Sequence, residues 1–154
     1  MVKSVLCGGL IMLSAGCSFE NVPVALLDES IVGTWEYESS HGDGNEFNSV
    51  QMYFKVSPEG YVAFSRLNCV YTKEGGIQSE QRFSLEDMPI VRLTEKKMKV
   101  QRMPLTLKVE FQIDDWPSKT GQLNQLKLDG LVLQKKTPET TSDHKTWACK
   151  GESN

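Results

Sequence analysis

Apolar and polar residues alternate along most of this chain. In TLKVEFQI, Leu107, Val109, Phe111 and Ile113 fall on one side of an extended segment and Thr106, Lys108, Glu110 and Gln112 on the other. This period of two is that of a strand with one wet face. SVQMYFKV repeats it with Val50, Met52, Phe54 and Val56 on one side. Turn signals separate such runs at short intervals. SPEG at 57–60 has Pro in the second turn position and Gly in the fourth, and Asp129-Gly130 lies between the two alternating arms of LKLDGLVL as a two-residue hairpin loop. Candidate strands fall near residues 33–38, 49–56, 61–70, 77–85, 89–93, 97–103, 105–113, 122–128 and 131–135, and no stretch has a convincing helical period.

The expected fold is therefore all-β. A meander of about eight strands joined by short turns disposes of its edges most completely by closing into an antiparallel up-and-down barrel, with an open sandwich as the alternative. The expected inward side chains, Met52, Phe54, Phe64, Phe83, Leu107, Val109, Phe111, Leu126 and Leu133, are bulky. A barrel of this size holds side chains alone or one small ligand, and apolar lining suits either.

The start of the chain has a different pattern. MVKS carries one cation, Lys3, and the uncharged run VLCGGLIMLSA follows it, which reads as the n-region and h-region of a signal peptide. The run is shorter than the roughly 20 apolar residues that cross a bilayer as a helix. With Ala15 and Gly16 before Cys17, the segment resembles a bacterial lipoprotein signal, although the position three before the cysteine holds Ser14 where an aliphatic residue is usual. The resemblance implies cleavage after residue 16, lipid on Cys17 and attachment to a membrane. Ser18 behind the anchor resembles lipoproteins sorted to the outer membrane. An ordinary secretory signal is the alternative and would still export the chain.

The expected organisation is thus a signal peptide at 1–16, a tether and entry segment at 17–30, one barrel domain at 31–136 and a polar tail at 137–154. Removing residues 1–16 takes away Lys3 and no acid, so the formal charge of −3 becomes one unit more negative, with the remaining cations scattered among acids. Nucleic acid is an unexpected partner for such a chain. Of the four cysteines, Cys7 leaves with the signal and Cys17 is consumed by lipid, which leaves Cys69 and Cys149 to pair in an oxidising compartment. Such a bridge would pin the tail, with Trp147, back to the barrel. Neither cysteine has a neighbouring histidine to activate it as a nucleophile.

Gly33-Thr34-Trp35, just after the entry segment, resembles the G-x-W signature at the first strand of lipocalins and lipocalin-like bacterial lipoproteins. In that family the ring plugs one end of the barrel and an arginine near the last strand packs over it. Here the last strand offers Lys135 and Lys136 instead, and the family's T-D-Y motif is absent. The resemblance implies a barrel over 31–136 and, in many relatives, a small apolar or amphipathic ligand in its mouth.

Catalytic or metal chemistry is sparse. His41, Asp43, Asn45 and Glu46 group hard donors in SSHGDGNEFN, but their spacing matches no metal loop and two glycines make a solvated turn the simpler reading. Ser142-Asp143-His144 has the residue types of a hydrolase triad without the means to hold adjacent residues in triad geometry. Glu86-Asp87 and Asp114-Asp115 read as strand ends rather than acid/base pairs. No enzymatic activity, cofactor or metal is expected. Two functions stay open: an envelope lipoprotein holding a small apolar ligand, and one with a filled barrel that contacts another envelope protein through its outer surface.

Overall fold

The computed structural model describes residues 27–42, 44, 46–102 and 107–150. Eight strands run in sequence order around a closed antiparallel barrel: β1 (Gly33–Gly42), β2 (Glu46–Val56), β3 (Tyr61–Thr72), β4 (Ile77–Leu93), β5 (Lys97–Gln101), β6 (Lys108–Asp115), β7 (Gln125–Leu128) and β8 (Leu131–Lys136). β8 closes the ring on β1. The turns form where the sequence places them. Gly60 N donates to Ser57 O at 3.1 Å between β2 and β3, and Asp129 and Gly130 take φ of 48° and 79° between β7 and β8, as a tight hairpin loop with the twist of its strands requires.

Two of the expected strands are one. Segments 77–85 and 89–93 are continuous in β4, whose register against β3 slips between Val62↔Met88 and Phe64↔Leu85. Glu86 and Asp87 therefore form a bulge inside a strand, where the paired acids had suggested a strand end. Asp87 adopts φ 49°, and Arg102 donates to the carbonyl oxygens of Glu86 and Asp87 at 2.6 and 3.0 Å, which satisfies groups that the ladder leaves free. The bulge bends β4 so that its first part pairs with β3 and its last part, from Ile90↔Val100, with β5.

The ring is complete only at one level. β1 pairs with β2 along its whole length but with β8 only at Thr34, Trp35 and Glu36. Strands β1 to β4 thus rise beyond the shorter β5 to β8 as a curved wall. Below that level the interior is filled. Trp35, Met52, Phe54, Met88, Ile90, Met98, Ile113, Leu126, Leu128 and Leu133 are almost wholly buried, and the rings of Phe54, Phe64 and Phe111 meet at 5.1 to 6.5 Å in tilted and edge-on contacts.

Of the expected inward residues, Val109 packs against this core while partly exposed, and two stand outside it. Phe83 faces inward, 6.0 Å from Phe64, but lies above the level where β5 stops and is 43% exposed. Leu107 precedes the first residue of β6 and is 41% exposed.

At the closed end, Trp35 is fully buried and its Nε1 donates to Ile31 O at 2.8 Å. Its Cα partner in the last strand is Lys135, whose Nζ lies 5.2 Å from the ring centroid, a cation–π contact. Gly33 has φ 134°, and a Cβ there would lie 3.1 Å from Lys135 Cε, so glycine meets both the backbone and the packing requirement. The 3-10 turn at Glu29–Ile31 enters the strand. Its cap, Asp28, accepts from Ser30 N and from Ser118 Oγ. Burial pushes the Asp28 carboxyl up, but the hydrogen bonds from Ser118 and Ser30 outweigh it and its pKa is lowered. Asp115 and Pro117 place Trp116 at a strand end, where substitution is expected to cost less than at Trp35; the ring is instead buried beside the one-turn helix Pro117–Thr120, with Nε1 donating to Glu95 O at 2.7 Å.

Candidate functional site

The tail after β8 has no strand period, yet its side chains fix it to the outer wall of the barrel one after another. Ser142 donates from N and Oγ to Glu36 Oε1 at 2.8 and 2.9 Å. The His144 ring stacks on Tyr53 with centroids 3.9 Å apart, and Lys145 Nζ is 3.1 Å from Glu86 Oε1. The Arg82 guanidinium donates to the Trp147 carbonyl. Cys149 is disulfide-bonded to Cys69, with Cα atoms 5.7 Å apart, and Lys150 N donates to Tyr71 Oη at 3.3 Å. The tail thus runs from β1 across β2 toward β3 and β4 as a strap.

This strap explains a departure from alternation in β2 and β3. Counting from the inward Phe54 and Phe64, the side chains of Tyr53, Ser65, Leu67 and Cys69 face outward, yet none is more than 6% exposed. They form a thin second layer of packing under the strap, where Ser65 Oγ and Ser84 Oγ satisfy each other at 2.8 Å. Burial raises the Tyr53 pKa and lowers that of His144, to which the neighbouring Lys145 charge adds. A hydrogen bond to Glu86 raises the pKa of Lys145.

The strap also leaves grooves along its sides. One, of about 640 Å³, lies between the outer faces of β1 to β3 and the strap; Phe47, Tyr71 and Trp147 supply rings to it, and Glu38, Ser49 and Gln51 supply polar groups. A second of about 300 Å³ lies across Trp147 from it and shares Glu38 and Gln51. A third of about 520 Å³ runs beneath His144 and Lys145 past Tyr53 and Tyr61. All three open on the outside of the barrel.

The candidate residues from the sequence divide sharply. Cys69 and Cys149 are joined, and Gly33, Thr34 and Trp35 open β1 at the closed end. Cys17 and the expected signal peptide at 1–16 lie outside the described residues, as do Asp43 and Asn45. His41 pairs with Asn48, and Glu46 with Thr72. Among the described residues no group of three or more His, Cys, Asp or Glu is placed to hold a metal ion. Ser142, Asp143 and His144 face different partners, namely Glu36, the backbone of Lys145 and the Tyr53 ring. Asp114 Oδ2 accepts from Gly130 N, and burial raises the pKa of Asp129 beside it. The paired acids thus hold turns and bulges together. Sequence reasoning anticipated the pin at Cys149 but not the groove beside it. The signal available was a tryptophan, Trp147, in an otherwise polar tail two residues before a cysteine. Compared with protein-family models, with curated proteins and with solved structures, the chain matches none.

Proposed function

We propose that this chain is an exported envelope lipoprotein, anchored through Cys17, whose filled barrel is a rigid support and whose strapped outer wall contacts its partner. It has no catalytic role in this reading. The supporting observation is the inside of the barrel: Phe54, Phe64 and Phe111 meet across it, and large apolar side chains fill it down to Trp35. Of the two functions left open by the sequence, this favours surface contact over a ligand held in the mouth, because a ligand site of useful affinity encloses some 300 Å³ or more. The grooves of that size lie outside, along the strap. The disulfide suits an oxidising compartment, in keeping with the export signal. The lipocalin-like resemblance then describes the scaffold and its Trp35 plug.

The test is expression of the full chain in a bacterium with an outer membrane, with metabolic labelling by an alkynyl palmitate and a photo-cross-linking residue placed at Ser49 in the outer groove or at Asn68 on the inner side of the wall. Label on the wild type but not on Cys17→Ser, and cross-links from position 49 alone, are expected. An unlabelled wild type overturns the anchor. Cross-links to a small molecule from position 68 alone overturn the filled-barrel reading.

A further inference from the structure

We infer that the groove between the strap and β1 to β3 is a saccharide site. Its lining has the two kinds of group that a sugar ring demands together. Phe47, Tyr71 and Trp147 present aromatic rings, and Phe47 is 43% exposed, so ring surface is available to stack on the C–H face of a pyranose. The same groove is lined by Glu38, Ser49 and Gln51, whose carboxylate, hydroxyl and amide match the hydroxyls on a sugar's edge as acceptors and donors. Gln51 Nε2 and Glu38 Oε1 are 3.5 Å apart, a loose contact whose partners remain available to a ligand.

The same lining argues against other small ligands. Among the described residues no Leu, Ile, Val or Met lines the groove, which disfavours a lipid chain. Glu38 on one side and Lys73 and Lys150 on the other give mixed charge, which disfavours a strongly anionic or cationic ligand. At about 640 Å³ the open groove has the volume to seat a ligand of several rings along one side. Its strap wall is fixed in advance by the Cys69–Cys149 bridge, the Lys150–Tyr71 hydrogen bond and the Arg82 contact to Trp147. Binding would therefore not have to order that wall, which lowers the entropic cost of association.

The inference rests on the outer wall being the working surface. Its test is calorimetric titration of the full chain in detergent with cellotetraose, maltotetraose and chitotetraose, repeated on Gln51→Ala and Trp147→Ala and followed by thermal melts of all three proteins. The expected result is binding of at least one oligosaccharide, weakened about tenfold or more in each variant while both variants still melt cooperatively. Gln51→Asn keeps the amide on a shorter arm and should lose less than Gln51→Ala. No heat with any of the three sugars at millimolar concentration, from a protein that melts cooperatively, overturns the saccharide assignment and leaves the outer-wall reading standing. Sugar binding undiminished in both variants places the site elsewhere and overturns it as well. Binding of an unstructured peptide at this groove, competing with no sugar, would overturn it in favour of a protein partner.

Discussion

A tryptophan ring is large enough that its surroundings decide what its loss costs. Trp35 has the closed end of the barrel around it, and its one polar atom is satisfied by Ile31 O. Truncation to alanine leaves a cavity and an unpartnered carbonyl, for a loss of about 3 to 5 kcal/mol. Trp116 is just as constrained, buried and hydrogen-bonded to Glu95 O, so Trp116→Ala falls in the same range. Trp147 is half-buried between two outer grooves, and Trp147→Ala should cost about 1 kcal/mol. Thermal melts should therefore place the Trp35 and Trp116 variants far below the Trp147 variant; a Trp147 variant as damaged as the other two would refute this ordering. The Trp35 environment was legible because Gly33-Thr34-Trp35 is a local signal at the entry to a strand. That of Trp116 was not, because Asp115 and Pro117 mark the strand end correctly but say nothing of what packs over it.

The strap shows how far an element can be read. Its end point was legible by counting cysteines, since Cys69 and Cys149 are the two of four left to pair under the expectation that Cys7 leaves with a signal and Cys17 carries an anchor. Its path was not, because the contacts of Ser142, His144, Lys145 and Trp147 are made one at a time and leave no period in the sequence. β4 hid its continuity in the same way: acids are depleted in strands, so Glu86-Asp87 looked like an end and is a bulge. The stack of His144 on Tyr53 gives the strap a pH dependence of definite sign. The groups facing that imidazole are Tyr53 and Glu36 from the wall, Glu86 from β4, and Asp143 and Lys145 from the strap itself. Burial and then Lys145 lower its pKa, so folding favours the neutral ring. That contribution is fully present above the unfolded imidazole value of about 6.5 and is lost as pH falls through the lowered folded value, because the unfolded chain takes up the proton first. Melting temperatures measured between about pH 7.5 and pH 5 should fall more steeply for the wild type than for His144→Gln. Parallel profiles would mean that His144 does not carry the effect.

For the whole molecule, the all-β class and the order of the strands were legible from alternation and turns, whereas hollow or filled was not. The lining of an apolar pocket and the packing of an apolar core have the same pattern along a strand. Only the register brings Phe54 of β2, Phe64 of β3 and Phe111 of β6 to one place, and register between distant strands is a property of the closed barrel. A filled interior makes a prediction that a hollow one reverses. Removing the Phe111 ring from the middle of this cluster should cost about 3 to 5 kcal/mol and leave a dry apolar cavity, since the surrounding strands can relax only in part. Such a cavity admits a small apolar molecule such as benzene. A ligand that binds only the folded state raises its melting temperature, by an amount that grows with the logarithm of ligand concentration above its Kd. Benzene should therefore stabilise Phe111→Ala and leave the wild type unchanged, as read by melts of both proteins with and without it. Stabilisation of the wild type would show that the native barrel already has room, and the choice of the outer wall as the working surface would have to be given up.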